Sequence, residues 1–284
     1  MKAPDYVRLL ALAAIWGASF IFIRVAAPAL GAVWTAEGRV LIGGLALLVW
    51  LRLVRFDAGW RQHGRFYAAV GLLNSAIPFT LYAYAGSHLS APVMAVLNAT
   101  SPMFGLLLGA AFRVERISAA KLAGLVLGTA GVALVTRPQG ADADPMFAWA
   151  VAACLVASLS YGMTGVLIRT RGAGVPSRGI ALGAQLSAAA MLLPLLPFTR
   201  PAAMPSALVA ANLVALGVLA SGIAFILYFR LMVDVGPARA LTVTFLIPLF
   251  GLLWGFIFLG ESLAPAALGG SALILAGTVL ATRS

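Results

Sequence analysis

Long apolar runs, separated by short polar or glycine- and proline-rich breaks, predict ten membrane-spanning helices. A bilayer core needs about 20 apolar residues per helix, so each run of that length is one predicted span. In the first half, the predicted spans are Tyr6 to Ala27, Trp34 to Trp50, Phe66 to Ser87, Pro92 to Phe112 and Ala119 to Val135. In the second half, they are Met146 to Ile168, Gly179 to Leu196, Ser206 to Phe229, Ala238 to Leu259 and Pro265 to Ala281. The predicted fold class is an all-α integral membrane protein with ten transmembrane helices.

The second half of the chain repeats the first. Shifted by 146 positions, residues 71–137 are identical to residues 217–283 at 24 of 67 positions. The first helix joins the repeat at a shift of 145, which aligns Trp16 with Tyr161. Five helices per repeat is an odd number, so two consecutive repeats that cross the membrane must have opposite orientations.

The charges of the predicted loops indicate how the protein is oriented. If the N-terminus is cytoplasmic, fifteen Lys and Arg residues fall in cytoplasmic segments, and only Arg137 and Arg200 fall in external loops. Such a bias is typical of the cytoplasmic side. We therefore predict two inverted repeats, residues 1–140 and 141–284, with both termini cytoplasmic.

Composition supports a membrane protein and narrows its partners. The chain is 62% hydrophobic and only 10% charged, which excludes an ordinary soluble domain. Its net charge of +11 is spread singly along the chain, so we expect lipid and a small molecule as partners, and no nucleic acid. The single cysteine, Cys154, lies in an apolar run, so neither a disulfide framework nor a thiolate metal cluster is expected. No cofactor is expected.

Several motifs resemble those of a known transporter group. They are the Trp16-Gly17-x-Ser19 opening, the Pro-x-Phe-Gly segments of helices four and nine, and Glu115 and Glu261 before glycine-rich helices. Together with the repeat, they resemble the ten-helix EamA-type branch of the drug/metabolite transporter superfamily over essentially the whole chain. The resemblance implies a permease of the bacterial inner membrane, with export of amino acids, aromatic ones included, as the best specific expectation. We also expect the protein to function as a monomer.

Helix three carries a line of small and polar residues. Gly71, Asn74, Ser75, Pro78 and Tyr82 have the spacing of one helix face. Polar side chains are costly against hydrocarbon, so this face lies either against a cavity or against another helix.

Further polar and aromatic residues extend the candidate site. Asn98 in helix four and Thr244 in helix nine occupy matching repeat positions, and the aromatic residues are Trp16, Tyr82, Tyr161 and Tyr228. A cavity bordered by such groups, without a fixed charge, suits a small neutral or zwitterionic metabolite with an apolar part. The predicted substrate-binding residues are Trp16, Ser19, Asn74, Ser75, Pro78, Tyr82, Asn98, Tyr161, Tyr228 and Thr244.

Charged residues near helix ends have several interpretations. Arg24, Glu37 and Arg39 could form an external ion-pair cluster or attract a carboxylate, or Arg24 could reach the lipid headgroups. Glu115 and Glu261 are expected to cap the helices that follow them, with gating as the alternative. Because all eight acidic residues fall in loops or near helix ends, alternating access without proton coupling is predicted.

Two other functional classes fit the sequence less well. An intramembrane enzyme acting on a lipid-linked substrate would need carboxylates, a histidine pair or a metal set at one depth, and no predicted span contains one. A structural scaffold would not explain the polar residues of helices three and four.

Overall fold

The computed structural model describes residues 2–135, 145–201, 204–236, 240, 242–261 and 265–282. Within these ranges the chain forms ten apolar helical rods and no strand, which confirms the predicted fold class. The rods are α1 (Ala3–Leu30), α2 (Ala32–Leu53), α3 (Trp60–Gly86), α4 (Ala91–Ala111), α5 (Ala119–Val135), α6 (Phe147–Arg171), α7 (Ser177–Phe198), α8 (Ala207–Val235), α9 (Val243–Leu259) and α10 (Pro265–Thr282). Seven of them are long and apolar enough to cross a membrane, and α5, α9 and the Leu268–Ala281 part of α10 are shorter apolar helices.

The turn between α1 and α2 is much tighter than the sequence indicates. The predicted spans leave a gap from Ala27 to Trp34, but α1 continues through Pro28 to Leu30, and only Gly31 separates it from α2. Gly31 has φ +78°, a conformation that glycine adopts without a Cβ penalty. The predicted boundary between the repeats, at 140/141, and the predicted start of helix nine lie outside the described residues.

Two helices contain a wide π turn at repeat-related positions. The turn covers Leu72–Ala76 in α3 and Val218–Ile223 in α8. Pro78 follows the first turn, but Ala224 occupies the matching position after the second, so proline alone does not cause the widening. A π turn leaves backbone carbonyls without their usual α-helical partners.

Neighbouring helices satisfy some of these carbonyls. Ser160 of α6 donates from Oγ to the Leu73 carbonyl at 2.7 Å, and Trp16 of α1 donates from Nε1 to the Ala220 carbonyl at 3.0 Å. The first helix of each repeat therefore anchors the irregular third helix of the other.

The two halves interlock through equivalent helix crossings. A Cβ atom added to Gly17 of α1 would lie 2.6 Å from Phe250 Cβ of α9, and one added to Gly162 of α6 would lie 2.8 Å from the Gly105 nitrogen of α4. These crossings map onto each other through the sequence repeat. The glycines allow the backbones to approach closely at these two crossings inside the bundle.

Ion pairs show that the halves run in opposite directions. Arg24, near the end of α1, pairs with Glu261 after α9, whereas Arg169, near the end of α6, pairs with Glu115 after α4. Because Arg24 and Arg169 are repeat equivalents at opposite ends of the bundle, the second half is inverted relative to the first. We call the end that holds Lys2, Glu115 and Arg169 the N-terminal end, and the other the far end.

Candidate functional site: a cavity between the two halves

A cavity of about 690 Å³ lies between the halves of the bundle. Residues of α1, α2, α3, α4, α6, α8 and α9 line it, together with Thr242 just before α9. Eight of the ten predicted site residues are among them: Trp16, Ser19, Asn74, Tyr82, Asn98, Tyr161, Tyr228 and Thr244. The structure thus places side chains from both repeats around one space.

Asn98 reaches the cavity at an interruption of α4. The first part of this helix ends at Asn98 and the second begins at Ser101, with Ala99 and Thr100 between them. Pro102 has no N–H to donate to the Asn98 carbonyl, and Ser101 Oγ donates to that carbonyl instead, at 2.7 Å. The break places a polar side chain at the cavity while its backbone carbonyl stays satisfied.

Tyr82 connects Asn98 to α6. Its hydroxyl donates to Asn98 Oδ1 at 3.2 Å and lies 3.3 Å from Ser158 Oγ. Ser158 in turn donates to the Leu97 carbonyl at 3.2 Å. These contacts hold the side-chain oxygen of Asn98, Oδ1, in place. The side-chain nitrogen of Asn98 has no hydrogen-bond partner in the described part of the chain and is available to a molecule in the cavity.

Two aromatic pairs form walls of the cavity. The rings of Trp16 and Tyr228 are 5.4 Å apart, and those of Tyr82 and Tyr161 are 6.4 Å apart and nearly parallel. Trp16 matches Tyr161 in the repeat, and Tyr82 matches Tyr228, so the two pairs are equivalent. Such rings can cover the apolar part of a small molecule.

Ser75 and Pro78, which were also predicted to bind substrate, are buried but do not line the cavity. The prediction assumed regular α-helical spacing, and the π turn at Leu72–Ala76 changes which residues share a face. Gly71 packs against α7, where an added Cβ would lie 2.7 Å from the Ala184 carbonyl oxygen. The predicted polar face is therefore divided between the cavity and a helix interface.

Arg39 corrects the expectation of a cavity without a fixed charge. Its side chain lines the cavity and is only 7% exposed. Nε donates to Ser221 Oγ at 3.0 Å, and the guanidinium carbon lies 3.6 Å from the centre of the Phe79 ring. The sequence shows only that Arg39 lies toward the outer end of its helix. The face of α2 on which it lies depends on how the helices pack, which the sequence does not show.

The external ion-pair cluster, one of the interpretations of Arg24, Glu37 and Arg39, does not form among these three described residues. Arg24 donates to Glu261 Oε1 at 2.9 Å and to the Gly86 carbonyl at 3.2 Å, so it pairs with protein and is not directed only to headgroups. Glu37 is 3% exposed, and neither carboxylate oxygen has a hydrogen-bond partner in the described part of the chain. It lies away from the cavity lining.

Both glutamates expected to cap the following helix have other partners. Glu261 Oε2 accepts from the backbone N–H of Ala91, at the beginning of α4, at 2.8 Å. Glu115 accepts from Lys121 Nζ at 2.6 Å and from Arg169 at 2.5 Å. The hydrogen bonds from Lys121 and then Arg169 lower the pKa of the Glu115 carboxyl below its ordinary value of 4.5.

A smaller space of about 270 Å³ lies beside Glu115 and Arg169. It shares four lining residues with the main cavity: Pro102, Gly105, Gly162 and Gly165. The cavity therefore continues toward the N-terminal end along the crossing of α4 and α6.

Sequence reasoning did not include Phe79 and Phe225 in the site, although both line the cavity. They are identical residues at equivalent repeat positions, flanked by Tyr82 and Tyr228, and that identity was an available signal. For Arg39, the signal was a charged side chain within an apolar run.

Comparison with known proteins assigns the chain to a family. It is 27% identical over its full length, and over 95% of the relative, to a protein of Streptantibioticus cattleyicolor named probable terminal-alkyne amino-acid exporter. It is also 27% identical to the uncharacterized inner membrane transporter YedA of Escherichia coli K12, covering 98% of this chain and 90% of that one. A solved crystal structure shares the fold with a TM-score of 0.68 at 20% identity, covering 99% of this chain and 97% of the other. The sequence profile of the EamA-like transporter family matches twice, over residues 6–137 and 148–283, so this chain belongs to the EamA-like transporter family.

Proposed function

We propose that this protein carries small zwitterionic metabolites, amino acids with aromatic or other apolar side chains above all, across the bacterial inner membrane by alternating access without proton coupling. The observation that carries the proposal is the cavity between inverted halves, which combines two aromatic pairs with polar side chains. Its volume of about 690 Å³ falls within the range of roughly 300–1,000 Å³ usual for small-molecule sites.

The composition of the lining favours an amino acid. The rings of Trp16 and Tyr228 offer an apolar wall, while Asn98 offers an amide that can orient a polar group. The name of the Streptantibioticus cattleyicolor relative, an amino-acid exporter, points to the same class of substrate.

The inverted arrangement supports alternating access. Equivalent ion pairs, Arg24–Glu261 and Arg169–Glu115, lie at opposite ends of the bundle, and the cavity lies between them. Inverted repeats can exchange conformations, so that an opening at one end becomes an opening at the other. The excess of Lys and Arg on one side supports a cytoplasmic location of the N-terminal end, which a reporter fused to the C-terminus would test.

An intramembrane enzyme remains the second candidate, with less support. Among the described residues that line the cavity there is no carboxylate, imidazole or thiol. A hydrolase or transferase usually needs such a group as a base or nucleophile. Function as a monomer is part of the proposal, because the glycine contacts pack helices within one chain.

Transport by the purified protein in liposomes tests the proposal. Vesicles loaded with an unlabelled amino acid should take up the same labelled amino acid by exchange, fastest for phenylalanine, tryptophan and leucine. Vesicles without protein, called empty vesicles below, are one control. Vesicles that contain the Trp16→Ala variant, which lacks one aromatic wall of the cavity, are the other and should exchange more slowly than the wild type. Absence of exchange above empty vesicles for all twenty amino acids would refute amino-acid transport.

A further inference from the structure

We propose that Arg39 binds the carboxylate of the transported molecule, and this inference rests on the proposed transport function. The positive charge in the cavity would then interact with one defined group of the substrate. The required substrate feature is then a carboxylate, whether it belongs to an amino acid or to another small organic acid.

The first argument is that Arg39 is a buried cation without a protein counter-charge. No carboxylate of the described residues forms an ion pair with it, and Glu37, two residues earlier, makes no hydrogen bond to it. Its hydrogen bond goes to the neutral hydroxyl of Ser221. Burying a charge is costly unless an opposite charge or several hydrogen bonds compensate it, so a bound anion would supply what the protein leaves out.

The second argument is that the guanidinium is held in position. Ser221 accepts from Nε at 3.0 Å, and the Phe79 ring covers the group with its centre 3.6 Å from Cζ. The two terminal nitrogens make no hydrogen bond to the described part of the chain. Together they offer the forked donor geometry that matches the two oxygens of a carboxylate.

The third argument is that Arg39 and the aromatic pairs border one space. Trp16, Tyr82, Tyr161 and Tyr228 line the same cavity as Arg39. A molecule whose carboxylate contacts Arg39 can therefore place its apolar part against these rings.

The sequence repeat does not duplicate Arg39. At a shift of 145, which aligns Gly38 with Gly183, the residue that matches Arg39 is Ala184. Packing supports this alignment. A Cβ atom added to Gly38 would contact Leu213 of α8, and one added to Gly183 would contact Tyr67 of α3. Tyr67 and Leu213 are themselves equivalent positions in the repeat. We therefore expect one carboxylate-binding site per chain.

Binding to the purified full-length protein in detergent tests the inference. Four probes with the same ring are compared at pH 7 by calorimetry: L-phenylalanine, L-phenylalaninamide, 3-phenylpropionate and phenethylamine. The wild-type protein should bind L-phenylalanine at least tenfold more tightly than L-phenylalaninamide, and 3-phenylpropionate at least tenfold more tightly than phenethylamine, with one site per chain. Arg39→Gln should lose this preference, and Arg39→Lys, which keeps the charge without the fork, should retain part of it.

Arg178→Gln is the matched control. The Arg178 guanidinium also lies over an aromatic ring, 5.5 Å from the centre of Trp50, but outside the cavity lining. This variant should bind all four probes as the wild type does.

The outcomes separate the two proposals. Binding of 3-phenylpropionate but not L-phenylalanine, lost in Arg39→Gln, would support the carboxylate site and refute an amino-acid substrate. Equal binding of L-phenylalanine and its amide to the wild type would refute the carboxylate site and leave amino-acid transport standing. That ligand comparison needs no variant, so it decides the matter even if Arg39→Gln does not fold. Binding of none of the four probes would overturn both.

Discussion

Arg24 and Glu261 join the end of α1 to the connection after α9, with Nε and Oε1 2.9 Å apart. The sequence repeat maps this pair onto Arg169 and Glu115, which lie 2.5 Å apart at the opposite end of the bundle. Each pair links the first helix of one half to the end of the fourth helix of the other. The two halves therefore use the same contact at opposite ends, an arrangement that fits the proposed alternating access.

Breaking one of these pairs should shift the carrier toward opening at that end. Partly exposed ion pairs contribute up to about 1 kcal/mol, which corresponds to a roughly fivefold change in population. In a Cys154→Ala background with Ser19→Cys in the cavity, Glu261→Gln should raise labelling by an impermeant thiol reagent from the far end about fivefold. Glu115→Gln should raise labelling from the N-terminal end.

The charge-reversed double variant Arg24→Glu with Glu261→Arg is the control, and it should restore the labelling of the parent. If both single variants raised labelling from the same end, the pairs would not act as equivalent closures.

Acid should weaken the contact at the N-terminal end. Hydrogen bonds from Lys121 and Arg169 lower the pKa of the Glu115 carboxyl in the folded protein. The folded state therefore binds a proton at this carboxyl less tightly than the unfolded chain does. Its contribution to stability is full above the ordinary pKa of 4.5 and is lost as the pH falls through the lowered value. The melting temperature of Glu115→Gln should therefore fall less than that of the wild type between pH 6 and pH 3. Parallel curves would contradict this linkage.

The glycine crossings should be intolerant of a single methyl group. Gly17→Ala and Gly162→Ala each place a Cβ against backbone or Cβ atoms of the facing helix, and overpacking costs about 1–3 kcal/mol. Both variants should melt at a lower temperature than the wild type. Gly64→Ala is the control, because no atom lies within 4 Å of the added Cβ. A Gly17→Ala variant as stable as Gly64→Ala would show that α1 and α9 can separate without cost.

The helix count, the repeat and most cavity residues could be predicted from the sequence. Apolar runs are long enough to identify spans. Tyr82, Asn98 and Trp16 could be assigned to the interior because side chains with hydrogen-bonding groups are costly against lipid. What the sequence did not show was local geometry. The π turn moved Ser75 away from the cavity, and no spacing rule detects such a turn.

Contacts between residues far apart in the sequence were the other feature that could not be predicted. Glu261 accepts from the backbone N–H of Ala91 at the beginning of α4, and because Ala91 lies 170 positions away in the sequence, only the folded bundle brings the two together. Arg39 lies two residues from Glu37, yet the first faces the cavity and the second does not, since residues two apart on a helix lie on nearly opposite faces.

Replacing Asn98 by Leu should impair transport with little effect on folding. The change removes the acceptor of the Tyr82 hydroxyl at 3.2 Å and an amide that faces the cavity, while Ser158 remains beside Tyr82. Loss of one substrate hydrogen bond should lower kcat/KM for transport about tenfold. Asn212→Leu is the matched control, because Asn212 bonds to the Leu208 carbonyl on its own helix and lies outside the cavity lining. Equal transport by the two variants would remove Asn98 from the site.

Energy coupling gives the last prediction. Of the acidic groups in the described residues, Glu37 lies farthest inside a helix, as the sixth residue of α2, and it is buried more deeply than its position near a helix end indicated. Proton-driven carriers use such groups by exposing them in turn to the two sides. Glu37, however, does not line the central cavity, and the described lining of that cavity contains no carboxylate or imidazole. We therefore expect a pH gradient across proteoliposomes, at zero substrate gradient, to produce no accumulation of substrate. Glu37→Gln, which keeps the shape of the side chain, should transport as the wild type does.

Uphill accumulation driven by protons and abolished by Glu37→Gln would refute the uncoupled mechanism and make Glu37 the coupling group. Accumulation that survives in Glu37→Gln and disappears in Glu261→Gln would instead place the coupling at the far-end ion pair.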